Sequence, residues 1–449
     1  MVHSDSNPPL LDHFGTLLSR HSTQCDEPQG RVTMEECQLP LIDLCGLSSS
    51  DETARRACAA AICKASSEWG FFQVVNHGIS PRLVERMRSE QVKLFQSPFE
   101  TKAKSGLLNN SYRWGSPRAT CTNQFSWSEA FHVLLTKVSD EACYGEFTSL
   151  REVMTCFAAA MSELSRLLAR ILIENLGHGK QALIDNICDE TTCFLRLNHY
   201  PACPISPEIT GLVPHTDSDF LTILCQDQVG GLQLMKESKW VTVKPNKDAL
   251  IVNIGDLFQA WSNDVYKSVE HRVVTNATME RYSIAYFLCP YYDSSIESFV
   301  KPSIYRRFTF REYRDQVQED VRKTGYKVGL PRPQQINGIR FIVSTHPFTA
   351  KTNDLTHTMH RAKELESESS PSHRSTTART AHMKRTGFQC WTAGFHILAC
   401  NNSTPSPWAH EKTNVPHRPR ANPKAKVKKK KKHTMFMHLV GSKQTSFAH

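Results

Sequence analysis

Nowhere in the 449 residues does an apolar stretch approach the roughly 20 needed to cross a bilayer; the longest candidates are broken by Arg, Glu or Asp. Paired CxxC spacing is also missing, the 15 cysteines being scattered singly, so a disulfide framework is not indicated. The N-terminal MVHSDSNPPL has no charged flank followed by an apolar run, and with it goes the case for a secretory signal. These absences predict a soluble protein of the reducing cytoplasm with no membrane partner. Charge is unevenly spread. Residues 331–449 hold 20 Lys and Arg against 5 Asp and Glu, which leaves 34 against 39 in residues 1–330. The net charge of +10 therefore describes the tail, and the rest is mildly acidic, so no specific nucleic-acid partner is expected of the folded part.

What is present divides into four segments. Residues 1–38 read as a polar, flexible leader. Residues 39–150 read as an α/β region: a strand at 39–44, an Ala-rich helix from Asp51 to Trp69, a strand at 71–76, a helix from Pro81 to about Phe95, and loop from 109 to 130. Residues 151–330 begin inside a long amphipathic helix, 147–176, whose Leu150, Val153, Met154, Phe157, Met161, Leu164 and Leu168 recur at helical intervals before Gly177. Short β-branched and aromatic runs follow at 193–199, 212–217, 220–225, 232–235, 239–243, 249–252, 269–274 and 281–288, separated by Gly, Pro, Asn and Asp. Eight strands so spaced predict a double-sheet jelly roll over about 191–290. An amphipathic helix at 308–323 is expected to cover an edge of it. The fold class is thus mainly β with flanking helices: a double-stranded β-helix core, an N-terminal α/β region and a C-terminal helix. Residues 331–449 lose periodicity and carry the run Lys428 to Lys432, the composition of a disordered tail. That run would be a nuclear address at most, leaving the nucleus open beside the cytoplasm.

The chemistry sits in the strand-rich part. His215 and Asp217, two apart in GLVPHTD, leave the same face of a pleat, and His271 in SVEHRVVT lies on the face shared with Val273. Two imidazoles and one carboxylate on one side of a metal leave three positions open, the pattern of iron(II) oxygenases that take a 2-oxo acid and O₂. A cosubstrate with a distal carboxylate needs a cation nearby, and Arg281 with Ser283 in ERYSIAYF supplies one together with a hydroxyl donor. Tyr200 and Asn198 in RLNHYP are further polar candidates. HxD and RxS alone are weak signals, since His3 with Asp5 and Arg20 with Ser22 repeat them in the leader. Their order within strand-like sequence carries the reading.

At these residues the chain resembles the plant 2-oxoglutarate and iron(II)-dependent dioxygenases. The likeness runs from 39 to 330 through LPLIDL, WGFFQVVNHGI, RLNHYPACP, GLVPHTDSDFLTIL, NIGDLFQAWSND, VEHRVV and ERYSIAYFLCP. SYRWGSP, NQFSWSEAFHV and LLARILIENLG make it most similar to gibberellin 2-oxidases, particularly the group acting on C20 gibberellins. The resemblance implies an N-terminal dioxygenase region at 39–150 and Fe(2+) held by His215, Asp217 and His271. It places 2-oxoglutarate on Arg281, Ser283 and Tyr200, with Asn198 close by. It also implies hydroxylation of a gibberellin at carbon 2, with succinate and CO₂ as coproducts and ascorbate supporting activity. The family usually ends soon after the segment resembling KVGLPR. The continuation here has the composition of translated non-coding sequence, which favours a gene-model error over a genuine extension.

Trp114, Trp127 and Phe131 are candidates to line an apolar substrate pocket, and Arg113 or His132 to meet a substrate carboxylate; core packing and solvated surface are the plain alternatives. His77 and His199 are expected to be hydrogen-bonded structural residues rather than ligands. Competing functions are another gibberellin or flavonoid dioxygenase, a zinc hydrolase, and a non-catalytic jelly-roll binder. The Arg281 and Ser283 pair argues against the second, and the intact site residues against the third.

Overall fold

In a computed structural model, residues 6–15 and 35–330 are described, apart from 117–118, 120, 122–123, 178–186, 189, 206–208, 299 and 326. The tail expected at 331–449 lies outside the described residues.

Strands β1 (Glu36–Cys37) and β2 (Leu41–Asp43) precede helix α1 (Glu52–Glu68), which starts where Asp51 accepts a hydrogen bond from the Thr53 N–H. Strand β3 (Phe71–Val75) leads to α2 (Pro81–Phe95), with proline in its first turn, and to the short α3 (Phe99–Lys102). The expected loop ending at 130 instead contains β4 (Tyr112–Trp114) and runs into β5 (Glu129–Leu134). Helix α4 (Thr148–Asn175) follows, with Leu150, Val153, Met154, Phe157, Met161, Leu164 and Leu168 all buried. Each buried side chain of this kind contributes roughly 1.5–3 kcal/mol, so the stripe anchors the helix against the sheet.

The jelly roll comprises β6 (Phe194–Tyr200), β7 (Thr210–His215), β8 (Leu221–Gln226), β9 (Leu232–Lys236), β10 (Lys239–Val243), β11 (Leu250–Ile254), β12 (His271–Val274) and β13 (Arg281–Leu288). A short helix α5 (Asp256–Trp261) interrupts it between β11 and β12. The smaller sheet runs β1-β10-β9-β12-β7 and the larger β2-β3-β11-β8-β13-β6-β5-β4, so the N-terminal strands extend the larger sheet at both edges. A minor pair, β14 (Ser295–Ile296) and β15 (Phe308–Thr309), introduces helix α6 (Phe310–Thr324). That helix opens on a capping box between Thr309 and Glu312 and closes at Gly325, whose φ of 82° suits a residue without Cβ. Main-core packing fills the space between the outer face of the larger sheet and α1, α2 and α4. No described helix is long and apolar enough to cross a membrane.

Residues 6–15 differ from a flexible leader. Leu10 and Phe14, one helical turn apart at 10–15, are buried with Phe125, Trp127, Cys203 and Ile209. Two apolar residues amid polar ones form too short a pattern to stand out in sequence.

Candidate iron and 2-oxoglutarate site

Antiparallel pairing of β7 with β12 sets His215 directly opposite His271, which joins residues far apart in the chain. Strand β7 ends at His215, two residues short of the expected strand, and Asp217 lies in the irregular segment that follows. Its Oδ1 nonetheless stands 3.7 Å from His215 Nε2 and 3.8 Å from His271 Nε2. Those separations suit a common ion at about 2 Å from each donor. The other imidazole nitrogens are committed: His215 Nδ1 pairs with the Val213 carbonyl at 2.8 Å and His271 Nδ1 with the Val269 carbonyl at 3.1 Å. A nitrogen facing a carbonyl must donate, so both rings carry their proton on Nδ1 and turn an Nε2 lone pair to the shared point.

Asp217 is prepared in the same way. Its Oδ2 accepts from Thr222 Oγ1 at 2.6 Å and Asn253 Nδ2 at 2.8 Å, leaving Oδ1 for the ion. Burial pushes this carboxyl up, but the imidazoles of His271 and His215 and these two hydrogen bonds outweigh it and hold Asp217 well below the usual carboxylate range. Asp219 behaves oppositely. Burial, then the charge of Asp217, drives it well above the carboxylate range, and its Oδ2 lies 2.9 Å from the same Thr222 hydroxyl. The Thr222 hydroxyl thus lies between the two acids, within donating distance of both and closer to Asp217.

The segment carrying Asp217 is also clamped from the C-terminal side. Lys327 Nζ donates to the Thr216 carbonyl and to Ser218 Oγ, each at 2.8 Å, and pairs with Asp256, both partners being buried. Asp256 Oδ2 in turn accepts from Thr216 Oγ1 and from the Tyr313 hydroxyl of α6. Lys327→Met is expected to lower unfolding stability by about 3–5 kcal/mol, because it strands a buried carboxylate. Iron affinity should fall about 10–100-fold as the ligand segment loosens. Denaturant midpoints and iron titration read the two effects, and an unchanged iron affinity would sever this clamp from the metal site.

Arg281 opens β13 opposite Tyr200 at the end of β6, and Ser283 stands opposite Asn198. The guanidinium is buried, donates to Gln226 Oε1 at 2.8 Å, reaches Ser283 Oγ at 3.5 Å and lies 5.0 Å from the centre of the Tyr200 ring. Its Nε has no partner, and among the described residues no carboxylate pairs with it. A buried cation so placed, facing the cavity that also holds the ligand triad, calls for an anion from outside. The donor set therefore fits an iron ion, and the orphaned guanidinium fits the carboxylate of 2-oxoglutarate. Gly211 secures the arrangement, since a Cβ there would come within 2.6 Å of the Tyr200 ring.

Of the expected substrate-pocket residues, the structure brings only His132 to this cavity, where it stacks on Phe194 at 3.8 Å. Phe131, its neighbour on β5, points the other way into the main core. Trp127 packs with Phe125 and Leu10, and Trp114 packs against His13, Phe14 and Phe99. Arg113 is exposed and donates to the Asn110 and Tyr112 carbonyls. Reading 109–130 as loop hid the β5 alternation that separates Phe131 from His132. His199 is structural, held between Glu129 at 2.7 Å and Glu280 at 3.0 Å, and His77 accepts from the Ile79 N–H. Sequence reasoning missed Thr222, Asn253, Asp219, Gln226 and Lys327; inward alternation in β8 would have pointed to Thr222. Among the described residues lining the cavity the carboxylates are Asp217 and Asp219, both engaged through Thr222, which leaves no base for a zinc hydrolase.

Comparison with known proteins agrees with this geometry. Residues 191–290 match the family model of the 2OG-Fe(II) oxygenase superfamily, and 39–150 match that of the non-haem dioxygenase in morphine synthesis N-terminal region. Gibberellin 2-beta-dioxygenase 6 of rice (Oryza sativa subsp. japonica) is 59% identical over 342 residues, spanning 72% of this chain and 95% of the relative. Gibberellin 2-beta-dioxygenase 8 of Arabidopsis thaliana is 51% identical over 335 residues, spanning 73% and 98%. Among solved structures, that of JOX2 in complex with 2OG, Fe and JA superposes with a TM-score of 0.55 at 33% identity, covering 65% of this chain and 91% of that one.

Proposed function

Because the chain belongs to the 2-oxoglutarate and iron(II)-dependent oxygenase superfamily, we propose that it hydroxylates a gibberellin at carbon 2, with C20 precursors preferred and succinate and CO₂ as coproducts. The single observation that carries the chemistry is the convergence of His215, Asp217 and His271 in a cavity that also holds the unpaired Arg281. Iron(II), when bound with 2-oxoglutarate and O₂, supplies the oxidant for hydroxylating an unactivated carbon. The residues do the rest. His215 and His271 present Nε2 and Asp217 presents Oδ1. Arg281, Ser283 and Tyr200 receive the distal carboxylate of 2-oxoglutarate, with Asn198 steadying Ser283 from 3.3 Å. Phe71, Leu212, Leu232 and Val273 line the cavity with apolar surface and exclude water near the ligands. Gln91 of α2, donating to the carbonyls of both Asn198 and Ser283, ties the cosubstrate strands to the helical layer.

The substrate follows from the relatives, whose names specify gibberellin 2-beta-dioxygenases. A panel of C20 and C19 gibberellins incubated with the purified protein, iron(II), 2-oxoglutarate and ascorbate, with products read by mass spectrometry, tests the reading. Products gaining one oxygen at carbon 2, most from C20 substrates, are expected. Turnover of a flavonoid with none of any gibberellin would replace it with the flavonoid alternative.

A further inference from the structure

The cavity holds a second inward-facing cation that the metal and cosubstrate do not use. Arg196, on β6, lines it beside Phe194 and Asn198, two positions from each and on the same face of the strand. Strand pairing sets it opposite Ala285 of β13 and His132 of β5, whereas Arg281 is opposite Tyr200. Four residues along the strand separate the Arg196 and Arg281 levels, roughly 13 Å. Their side chains approach each other through Asn198, which accepts from Arg196 and donates to the Ser283 hydroxyl that Arg281 reaches; with the distal carboxylate of 2-oxoglutarate on Arg281, Arg196 beside it is left without an anion.

Its own contacts agree. Arg196 Nε donates to Asn198 Oδ1 at 2.8 Å, which fixes the guanidinium plane, and among the described residues no carboxylate is paired with it. Burial costs the charge enough to pull the group down from its ordinary range, with only partial relief from Tyr200 and Asp217. Around it the wall is apolar: Phe194 stacks on His132 at 3.8 Å and on Phe287 at 4.3 Å, and Ala285 presents only a methyl group. Arg314 of α6 lines the same cavity. A cation on an apolar wall suits a ligand with a carboxylate on a rigid hydrocarbon body.

We infer that Arg196 is the anchor for a carboxylate of the substrate, on the Phe194 side of the cosubstrate pocket, so that the carboxylate and the apolar stack together orient the hydrocarbon body beside the metal. The inference rests on the proposed gibberellin reading, gibberellins being carboxylic acids. It moves the anionic contact expected of Arg113 or His132 to a residue of β6.

The test compares a C20 gibberellin free acid with its methyl ester. Dissociation constants are measured anaerobically on the protein loaded with iron(II) and 2-oxoglutarate, and KM is measured under air. Wild type is expected to bind the acid about 10–100-fold more tightly than the ester, the worth of one charge-assisted contact. In Arg196→Gln the preference should shrink to about threefold or less, with the KM for 2-oxoglutarate changing far less than the KM for the acid. Arg196→Lys, which keeps the charge without the planar fork, should fall between the two and reads the same ratio if Arg196→Gln does not fold. An unchanged acid preference in a folded Arg196 variant overturns the inference and leaves the gibberellin reading standing. Wild-type protein that neither binds nor converts any gibberellin overturns both.

Discussion

His215→Ala is expected to lower turnover by on the order of a thousandfold or more, since a metal that supplies several kcal/mol of barrier reduction loses its seat. His215 presents one of the two Nε2 lone pairs that face Asp217 Oδ1, so its removal leaves the ion with one imidazole and one carboxylate. Iron retained after gel filtration, counted against protein, should drop from equimolar to a small fraction while the fold, read by circular dichroism, persists. Stoichiometric iron with undiminished turnover in this variant would refute the metal assignment.

The second large effect lies at the other half of the site. Arg281→Leu is expected to raise the KM for 2-oxoglutarate by about two orders of magnitude, with iron still bound. Two charge-assisted hydrogen bonds, each worth roughly 1.5–3 kcal/mol, set the upper range; Ser283 and Tyr200 remain and reduce the loss. Arg281→Lys should recover only part of it, because an ammonium cannot grip a carboxylate with two parallel bonds. Stability should move the opposite way. The guanidinium is buried with an unpartnered Nε, so the leucine variant without ligands should unfold no more easily than the parent. A normal 2-oxoglutarate KM in Arg281→Leu would place the cosubstrate elsewhere. The pair of variants separates the functions: one loses iron, the other keeps iron and loses affinity for the oxo acid.

Much of this was legible along the chain. All eight jelly-roll strands lie within a few residues of the expected runs, and α2 spans Pro81–Phe95 as the proline start and apolar spacing foretell. The departures have local causes. β5 was hidden because Ser126, Ser128 and Glu129 are polar residues buried in the structure, which blurs the alternation of an otherwise regular strand. Glu129 is buried because Lys102 and His199 both reach it, and no neighbour in sequence announces either partner.

The opposition of His215 to His271, of Arg281 to Tyr200 and of Arg196 to His132 could not be read from any window of sequence. Nor could the clamp from Lys327 onto the Asp217 segment, which joins residues more than a hundred positions apart. What the sequence determined by itself was the set of strands, the two-residue spacing that keeps Arg281 with Ser283, and the residue types able to hold iron and a 2-oxo acid. Those follow from the pleat, a property of neighbouring residues. Tertiary structure alone decided which candidates share a cavity. It selected His132 and added Arg196, and it turned Phe131, Trp127 and Arg113 elsewhere. Strand register and layer packing are settled by contacts between distant segments, and a one-residue slip in either would send every side chain of the strand to the opposite face.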